Sequence, residues 1–455
     1  MKLLFLILLA LAPFCSFSQD IQVNSDQDSK ILSIYREQLI ELFRTRSFSD
    51  GEIQKYLSNN SSTLSSIDGF ASILGKLYPE DTKTAVLLYF FNNDSLYRIL
   101  IEPGKVIERT IIHIKKPELQ SLSSDMFQAL AIDKISANRS PRYRGANPVS
   151  TDSLSPVKYD LDSVIKRATG ILLPSSFTNK YSHLIVVPTL NIGTFPFSLL
   201  KPYTDGKSLI DNCSYIVAPG MVDLVAGRTK LMMKFNIQPG HKYAFTFEHP
   251  LFVCNPKFPT NTQYEFPELP GAKKEIQNIL PLLANYTLLE GENANRSEVM
   301  KQLRSCDVAY FATHGIASES RPMDSSFLVL SGNSRPFLTA QDVVNMRDSL
   351  NEGNLKFPEM VILSACQTGL GKSMEAGVAG LARSFLLAGA NHVMMSLWNV
   401  DDDATAYLMN RFVYYLSIPG LHIPTEPLRL AALDTRSKYK DPSQWASFAA
   451  FGIDY

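Results

Sequence analysis

The chain has 455 residues, of which 45% are hydrophobic and 19% are charged, so its composition is that of a globular protein and excludes a disordered or collagen-like chain. Its 44 Lys and Arg residues balance 44 Asp and Glu residues. Because the net charge is zero, we expect no nucleic-acid partner. Five cysteines in a chain of this length do not make a disulfide scaffold.

The first 18 residues have the pattern of a secretory signal peptide. Lys2 supplies a positive charge, an apolar run covers residues 3–14, and small residues follow at Ser16 and Ser18. A membrane-spanning helix needs about 20 apolar residues, which makes a retained membrane anchor the weaker alternative. We expect cleavage before Gln19, a periplasmic or extracellular mature protein, and no stable membrane insertion after cleavage.

Residues 19–82 are predicted to form a short helical segment, because apolar residues recur at helical spacing in ILSIYREQLIELF and around IDGFASILGKLY. From residue 83 the pattern changes to the strands KTAVLLYFFNN, SLYRILIEPG and VIERTIIHIKK, which Asn-Asn-Asp and Pro-Gly turn signals separate. The sequence therefore predicts a small antiparallel strand region at the start of a main domain that covers residues 83–455.

Short apolar runs then alternate with amphipathic helical patterns. The five apolar runs are His183–Pro188, Pro250–Cys254, Asp307–Thr313, Glu359–Ala365 and His392–Trp398. The helical candidates are Ala272–Leu283, Arg296–Leu303, Ala340–Arg347, Gly377–Leu387 and Asp402–Leu416. Continuous apolar runs are typical of strands covered on both faces. We therefore predict an α/β fold, a helix-sheet-helix sandwich with a largely parallel central sheet.

Two residues with reactive side chains follow apolar runs of this predicted sheet. The run that begins at Asp307 leads into His314, and the run that begins at Glu359 leads into Cys366, 52 residues later. The carboxyl ends of parallel strands lie at one edge of a sheet, where reactive groups gather. Caspases also place a His about 50 residues before the catalytic Cys, although such local signatures do not transfer between families.

A Cys and a His at one sheet edge are suited to covalent catalysis. The imidazole of His314 takes the proton of the Cys366 thiol, and the thiolate attacks a peptide carbonyl to form a thioacyl intermediate. Gly315 has no side chain, so its backbone N–H and that of Cys366 are candidate donors to the oxyanion. The alternative is structural: Cys366 as a small buried residue and His314 as a turn cap. Their joint placement favours the catalytic interpretation.

Longer motifs resemble the CHAT domain family, caspase-like cysteine peptidases related to separases. The resemblance lies in YFATHG, in VILSACQTGLGKSMEAGVAGLARSFLLAGANHVMMSLWNVDDDATAYLMNRFV, and in HLIVVPTLNIGTFPFSLL, LPGAKKEIQNIL and PSQWASFAAFG, which occur in the family's order over about Lys83 to Gly452. It implies a caspase-like fold, a dyad of His314 and Cys366, and oxyanion donors at Gly315 and Cys366. Many members also carry helical TPR arrays, for which this chain has only its short helical segment.

The acidic run Asp401, Asp402 and Asp403 allows two interpretations. These residues begin a predicted helix, where carboxylates cap free N–H groups. The chain also resembles peptidases in which an acidic pocket residue receives a basic substrate side chain. Asp402 best matches the recurrent Asp of the family, so we predict that Asp402 belongs to a substrate pocket.

The sequence therefore predicts a cysteine endopeptidase whose partners are protein or peptide substrates, with no cofactor and no metal. The histidines show no metal-ligand spacing with cysteine or carboxylate partners. A non-catalytic caspase-like scaffold that only binds its partner remains an alternative, as does an acyl-transfer enzyme with the same dyad. Disulfide pairing among Cys213, Cys254 and Cys306 stays open.

Overall fold

The structure is a computed structural model. It describes residues 21–22, 28–44, 50–61, 63–130, 159–239, 247–260, 262, 264–316, 318, 322–332, 334–350, 357–364, 380–398, 401–418 and 423–453. The predicted signal peptide at residues 1–18 lies outside this part of the chain. Within the described residues, no helix combines the length and the apolar character that crossing a membrane requires.

The predicted N-terminal helical segment contains three helices, and three antiparallel strands follow it. The elements in this region are β1 (Ile21–Gln22), α1 (Asp28–Arg44), α2 (Asp50–Asn59), α3 (Ile67–Leu77), β2 (Thr84–Asn92), β3 (Ser95–Glu102), β4 (Lys105–His113) and α4 (Lys116–Ala129). Helix α3 begins after Ser66, whose side chain accepts a hydrogen bond from the N–H of Gly69. Its residues Ile67, Phe70 and Leu74 recur at helical spacing and are buried.

A tight turn at Asn93 and Asp94 joins β2 to β3. Both residues have a positive φ, 47° and 53°, which is the conformation that a type I′ hairpin turn requires and that Asn and Asp tolerate. The turn sets the register in which Asn92 faces Ser95 and Val86 faces Ile101. The predicted antiparallel strand region is therefore present. Strand β2 also pairs in parallel with the strand that begins at His183, which makes this region continuous with the central sheet.

The middle of the chain supplies further strands and the helices that cover them. Its elements are α5 (Leu161–Leu172), β5 (His183–Val187), two 3₁₀ turns (Asn191–Thr194 and Phe197–Leu199), α6 (Leu209–Asn212), β6 (Ser214–Val217), α7 (Met221–Phe235), β7 (Leu251–Pro256), α8 (Pro270–Ile279), a 3₁₀ turn (Leu280–Leu282), β8 (Thr287–Gly291), α9 (Arg296–Gln302) and β9 (Val308–Ala312).

The last part of the chain completes the sheet. Its elements are β10 (Gly315–Ile316), α10 (Pro322–Ser325), β11 (Phe327–Val329), β12 (Phe337–Thr339), α11 (Ala340–Leu350), β13 (Met360–Leu363), α12 (Gly380–Ala388), β14 (His392–Ser396), α13 (Asp402–Leu416), α14 (Thr425–Lys438), α15 (Pro442–Trp445) and β15 (Phe448–Gly452). Strands β10, β11 and β12 form a separate three-stranded antiparallel sheet directly after β9.

The central sheet has twelve strands among the described residues, in the order β1-β4-β3-β2-β5-β6-β15-β14-β13-β9-β7-β8. Strands β14, β13, β9, β7 and β8 are mutually parallel, and so are β15, β6, β5 and β2. The two sets meet where β14 and β15 pair antiparallel, with His392 opposite Gly452 and Ser396 opposite Phe448. One edge of the sheet therefore carries the carboxyl ends of β9, β13 and β14 together with the amino ends of β15, β6 and β5.

The predicted fold class is confirmed, and each of the five apolar runs contains a strand. Every residue of β9, β13 and β14 is buried, as expected for strands with helices on both faces. The sequence did not predict strands β6, β8 and β15. Strand β8 is only partly buried, so it lacks the continuous apolar run that marked the other strands. Strand β15, FAAFG, is apolar but rich in Ala and Gly, which have low strand propensity.

Candidate active site

His314 lies at the carboxyl end of β9, where the chain leaves the central sheet for β10. Its neighbour Thr313 is buried and donates a hydrogen bond from its hydroxyl to the carbonyl of Val329 at 2.6 Å. The N–H of Val329 in turn donates to the carbonyl of His314 at 2.9 Å. These two hydrogen bonds hold the backbone of residues 313 and 314 in place. The side chain of His314 has 0% exposure.

The imidazole of His314 is held by a backbone carbonyl and two aromatic rings. Its Nε2 lies 2.7 Å from the carbonyl oxygen of Pro267, and the ring centroids of Phe258 and Phe266 lie 4.7 Å and 5.5 Å from that of His314. A carbonyl only accepts hydrogen bonds, so Nε2 carries the proton. In the neutral ring this leaves the lone pair on Nδ1, which makes Nδ1 the basic nitrogen.

Gly315 is the first residue of β10, opposite Leu328 of β11. Because the N–H of Val329 bonds to the carbonyl of His314, Gly315 and Leu328 form a non-hydrogen-bonded pair of the antiparallel ladder. The N–H of Gly315 therefore points away from β11 and is not used in this ladder. This orientation is compatible with the predicted oxyanion donor.

Cys366 lies outside the described residues, so its geometry relative to His314 is not part of the structure. The strand that leads to it, β13, is described as far as Leu363 and pairs in parallel with β9. Met360 faces Val308 and Leu363 faces Phe311, which is an offset of 52 residues. His314 and Cys366 have this same separation. The register of the two strands thus sets the carboxyl ends of β9 and β13 side by side at one edge of the sheet.

The three carboxylates of the acidic run have three different surroundings. Asp401 is the N-cap of α13 and accepts a hydrogen bond from the N–H of Ala404 at 2.9 Å. Asp403 forms an exposed ion pair with Lys274 at 3.0 Å. Asp402 is 7% exposed and lies against the first turn of α8. Its role in a substrate pocket stays a prediction.

The described cysteines Cys213, Cys254 and Cys306 are buried, and none of the three is in a disulfide within the described part of the chain. Burial raises the pKa of the Cys306 thiol to about 12, and it raises that of the Cys213 thiol further. A thiol is nucleophilic only as the thiolate, so these two side chains are unreactive. Among the described residues, no group of three His, Cys, Asp or Glu side chains is arranged to hold a metal ion.

Sequence reasoning missed two positions next to this site, Pro267 and Gly271. Pro267 supplies the carbonyl that holds His314. Gly271 stands in the first turn of α8, where a Cβ would lie 2.1 Å from Cγ of Asp402. The motif LPGAKKEI contains a signal for a helix start, Pro at the first helical position. Nothing in the amino-acid sequence indicates that the residues around the start of α8 contact His314 and Asp402.

Comparisons with known proteins agree with this architecture. Tetratricopeptide repeat protein 28 from Mus musculus and from Homo sapiens is 24% identical over 322 and 319 residues, which is 63% of this chain. The matched region is only 13% and 12% of those relatives, so this chain corresponds to about an eighth of their length.

Among solved structures, separase in the Saccharomyces cerevisiae separase-securin complex superposes with a TM-score of 0.53 at 10% identity, over 93% of this chain and 33% of that chain. The Arg-specific cysteine proteinase gingipain R matches with a TM-score of 0.40 at 11% identity, over 64% of this chain and 67% of that one. The CHAT domain family model matches residues 162–453, well over half of the chain. The chain therefore belongs to the CHAT domain family and has its caspase-like fold.

Proposed function

We propose that the protein is a cysteine endopeptidase in which Cys366 is the nucleophile and His314 is the general base. The observation that carries this proposal is the hydrogen bond from Nε2 of His314 to Pro267, because it orients a buried imidazole with Nδ1 as its basic nitrogen. The 52-residue register between β9 and β13 supports it.

The chemistry follows from these roles. Nδ1 of His314 takes the proton from the Cys366 thiol, and the thiolate attacks the carbonyl carbon of the scissile peptide bond. The N–H groups of Gly315 and Cys366 stabilise the oxyanion of the tetrahedral intermediate. The intermediate collapses when the imidazolium returns its proton to the leaving amine, which leaves a thioacyl enzyme. Water, deprotonated by His314, then hydrolyses the thioester and releases the free thiol.

The test uses a diverse peptide library and a thiol-reactive peptide probe. The parent protein is expected to cleave peptides and to react with the probe, and Cys366→Ala should abolish both. His314→Ala should lower kcat/KM by at least about 10²-fold, the usual contribution of a positioned general base. A folded Cys366→Ala protein that cleaves as well as the parent would refute the assignment of Cys366 as the nucleophile. An unreactive parent would instead favour a scaffold that binds without cleaving.

The scaffold is the second candidate, and the comparisons provide its support. The curated relatives are named for their repeats, and the separase structure is of a complex with securin. A caspase-like protein that recognises a protein partner through the same edge of the sheet would have no need of an activated thiol. An acyl-transfer enzyme would share the dyad, and it would differ from a hydrolase because an amine resolves its thioester in place of water.

We propose in addition that the mature protein is periplasmic or extracellular. This rests on the sequence of residues 1–18, a positive charge followed by a short apolar run and small residues. The measurement is the N-terminal sequence or intact mass of protein purified from its native host. A mature chain that begins at Gln19 is expected, and a chain that retains Met1 would contradict the proposal.

A further inference from the structure

Asp402 lies at the point where two helices begin. It is the first residue of α13, and its side chain lies against the first turn of α8, so close to Gly271 that an added Cβ there would come within 2.1 Å of both Cγ and Oδ2 of Asp402. The side chain is 7% exposed. A carboxylate at the start of a helix interacts favourably with the partial positive charge of the free N–H groups.

Other contacts hold α8 in a fixed position relative to α13 and the sheet. The amide of Asn410 on α13 donates to the carbonyl of Asn278 near the end of α8, at 2.8 Å. On the inner side of α8, the buried carboxylate of Glu275 accepts a hydrogen bond at 2.6 Å from the hydroxyl of Tyr310 in β9. Both contacts fix the body of α8. Asp402 contacts its first turn.

The first turn of α8 is continuous with the segment that holds the proposed base. Pro267 stands three residues before Pro270, the first residue of α8, and its carbonyl accepts the hydrogen bond from His314. Between them, the N–H of Leu269 donates to the side chain of Asn255 near the end of β7. A short segment, residues 267–271, thus connects the imidazole at one end to the Asp402 carboxylate at the other.

We propose that Asp402 is a positioning residue for His314, acting through residues 267–271. Its carboxylate fixes the first turn of α8, and this turn fixes the carbonyl of Pro267 that selects the tautomer and the plane of the imidazole. The inference rests on the proposed function, in which His314 is the base. It assigns Asp402 a role in catalysis that does not depend on the substrate side chain, whereas a pocket residue would act on basic substrates alone.

Three variants test the proposal. Asp402→Asn keeps the shape of the side chain and removes its charge. Gly271→Ala places a methyl group where the Asp402 carboxylate lies. The matched control is Asp403→Asn, since Asp403 is the next residue and its ion pair with Lys274 is exposed on both sides. The kinetic readout is kcat and KM for matched peptides with Arg, Leu or Asp before the scissile bond.

Both test variants are expected to lower kcat by about 10-fold or more, with little change in KM. The factor should be the same for all three peptides, because misplacement of a catalytic group weakens only the chemical step. Asp403→Asn should match the parent. A loss confined to the Arg peptide would overturn the positioning role and support the pocket. Unchanged kcat in a folded Asp402→Asn protein would also overturn it.

A second readout is independent of activity, so that a failure of the proposed peptidase is distinguishable from a failure of the positioning role. In the Cys366→Ala background, ¹⁵N shifts of labelled His314 report which ring nitrogen carries the proton. We expect the Nε2–H form with native Asp402 and a shift toward a mixture of tautomers in Asp402→Asn. If the tautomer is the same in both proteins, Asp402 does not position the ring, whatever the peptides show.

Discussion

His314 donates a hydrogen bond from its Nε2 to the main-chain oxygen of Pro267, 2.7 Å away, across the gap between the end of β9 and the segment before α8. The acceptor belongs to the backbone, so no side-chain substitution at position 267 removes it. The imidazole is also enclosed by Phe258 and Phe266. This arrangement gives the ring one orientation and one tautomer, from which the first prediction follows.

When its imidazole is uncharged, His314 should be the Nε2–H tautomer. The measurement is the pair of ring ¹⁵N shifts of His314 in the Cys366→Ala protein, assigned by comparison with His314→Gln. A protonated-type shift at Nε2 and an unprotonated-type shift at Nδ1 are expected. The opposite pattern would mean that Nδ1 is not the base, and the proposed proton transfer from Cys366 would have to be abandoned.

Among Cys213, Cys254, Cys306 and Cys366, thiol labelling of the native protein should be confined to one residue. Cys213, Cys254 and Cys306 are buried, which shields all three from an alkylating reagent. Burial also raises the pKa of the Cys306 thiol to about 12, so at neutral pH this site presents almost no thiolate. Mass spectrometry after brief labelling should find the label on Cys366. The denatured protein, labelled at all of these positions, is the control. Rapid native labelling of Cys306 would contradict the burial argument.

Gly452→Ala should destabilise the protein by about 2–4 kcal/mol. Gly452 has φ +139°, and a Cβ there would lie 2.0 Å from the carbonyl oxygen of Asn391, at the point where β15 meets β14. That contact is with backbone, which has little room to move. Gly170→Ala in α5 is the control, because nothing lies within 4 Å of the added Cβ, and it should stabilise by about 0.5–1 kcal/mol. Urea unfolding measures both. Equal stability of Gly452→Ala and the parent would argue against this antiparallel junction.

Glu102 should contribute to stability in a way that depends on pH. Burial opposes its ionisation, but hydrogen bonds from Lys180, Tyr181 and Lys105 lower its pKa from 4.5 to about 2. Because the folded pKa is the lower one, this stabilisation is fully present above about pH 4.5 and is lost as the pH falls toward about 2.

The measurement is the free energy of unfolding against pH for the parent and for Glu102→Gln. The parent should lose up to about 3 kcal/mol more than the variant across that range. Asp162→Asn serves as the control, since the Asp162 side chain is 78% exposed in its ion pair with Lys201 and such pairs contribute little. Parallel curves for parent and Glu102→Gln would show that the Glu102 network contributes no net stability.

Much of the architecture was predictable because burial leaves a direct mark on the sequence. Runs such as Asp307–Thr313 and His392–Trp398 are apolar at every position, which is what a strand covered on both faces requires, and each contains a strand of the sheet. The turn at Asn93 and Asp94 was predictable for a local reason, since these residue types tolerate a positive φ. The placement of His314 directly after a strand followed in the same way.

The amino-acid sequence by itself determined the strands that continuous apolar runs mark, the family resemblance and the 52-residue separation of His314 and Cys366, because these depend on residue type and spacing along the chain. Only the tertiary structure decided that β14 and β15 pair antiparallel, so that two parallel sets of strands run in opposite directions. It also decided that Pro267 holds His314 and that Asp402 packs on Gly271. The physical reason is that hydrophobic patterning encodes which residues are buried, whereas strand direction and backbone acceptors depend on contacts between segments far apart in sequence.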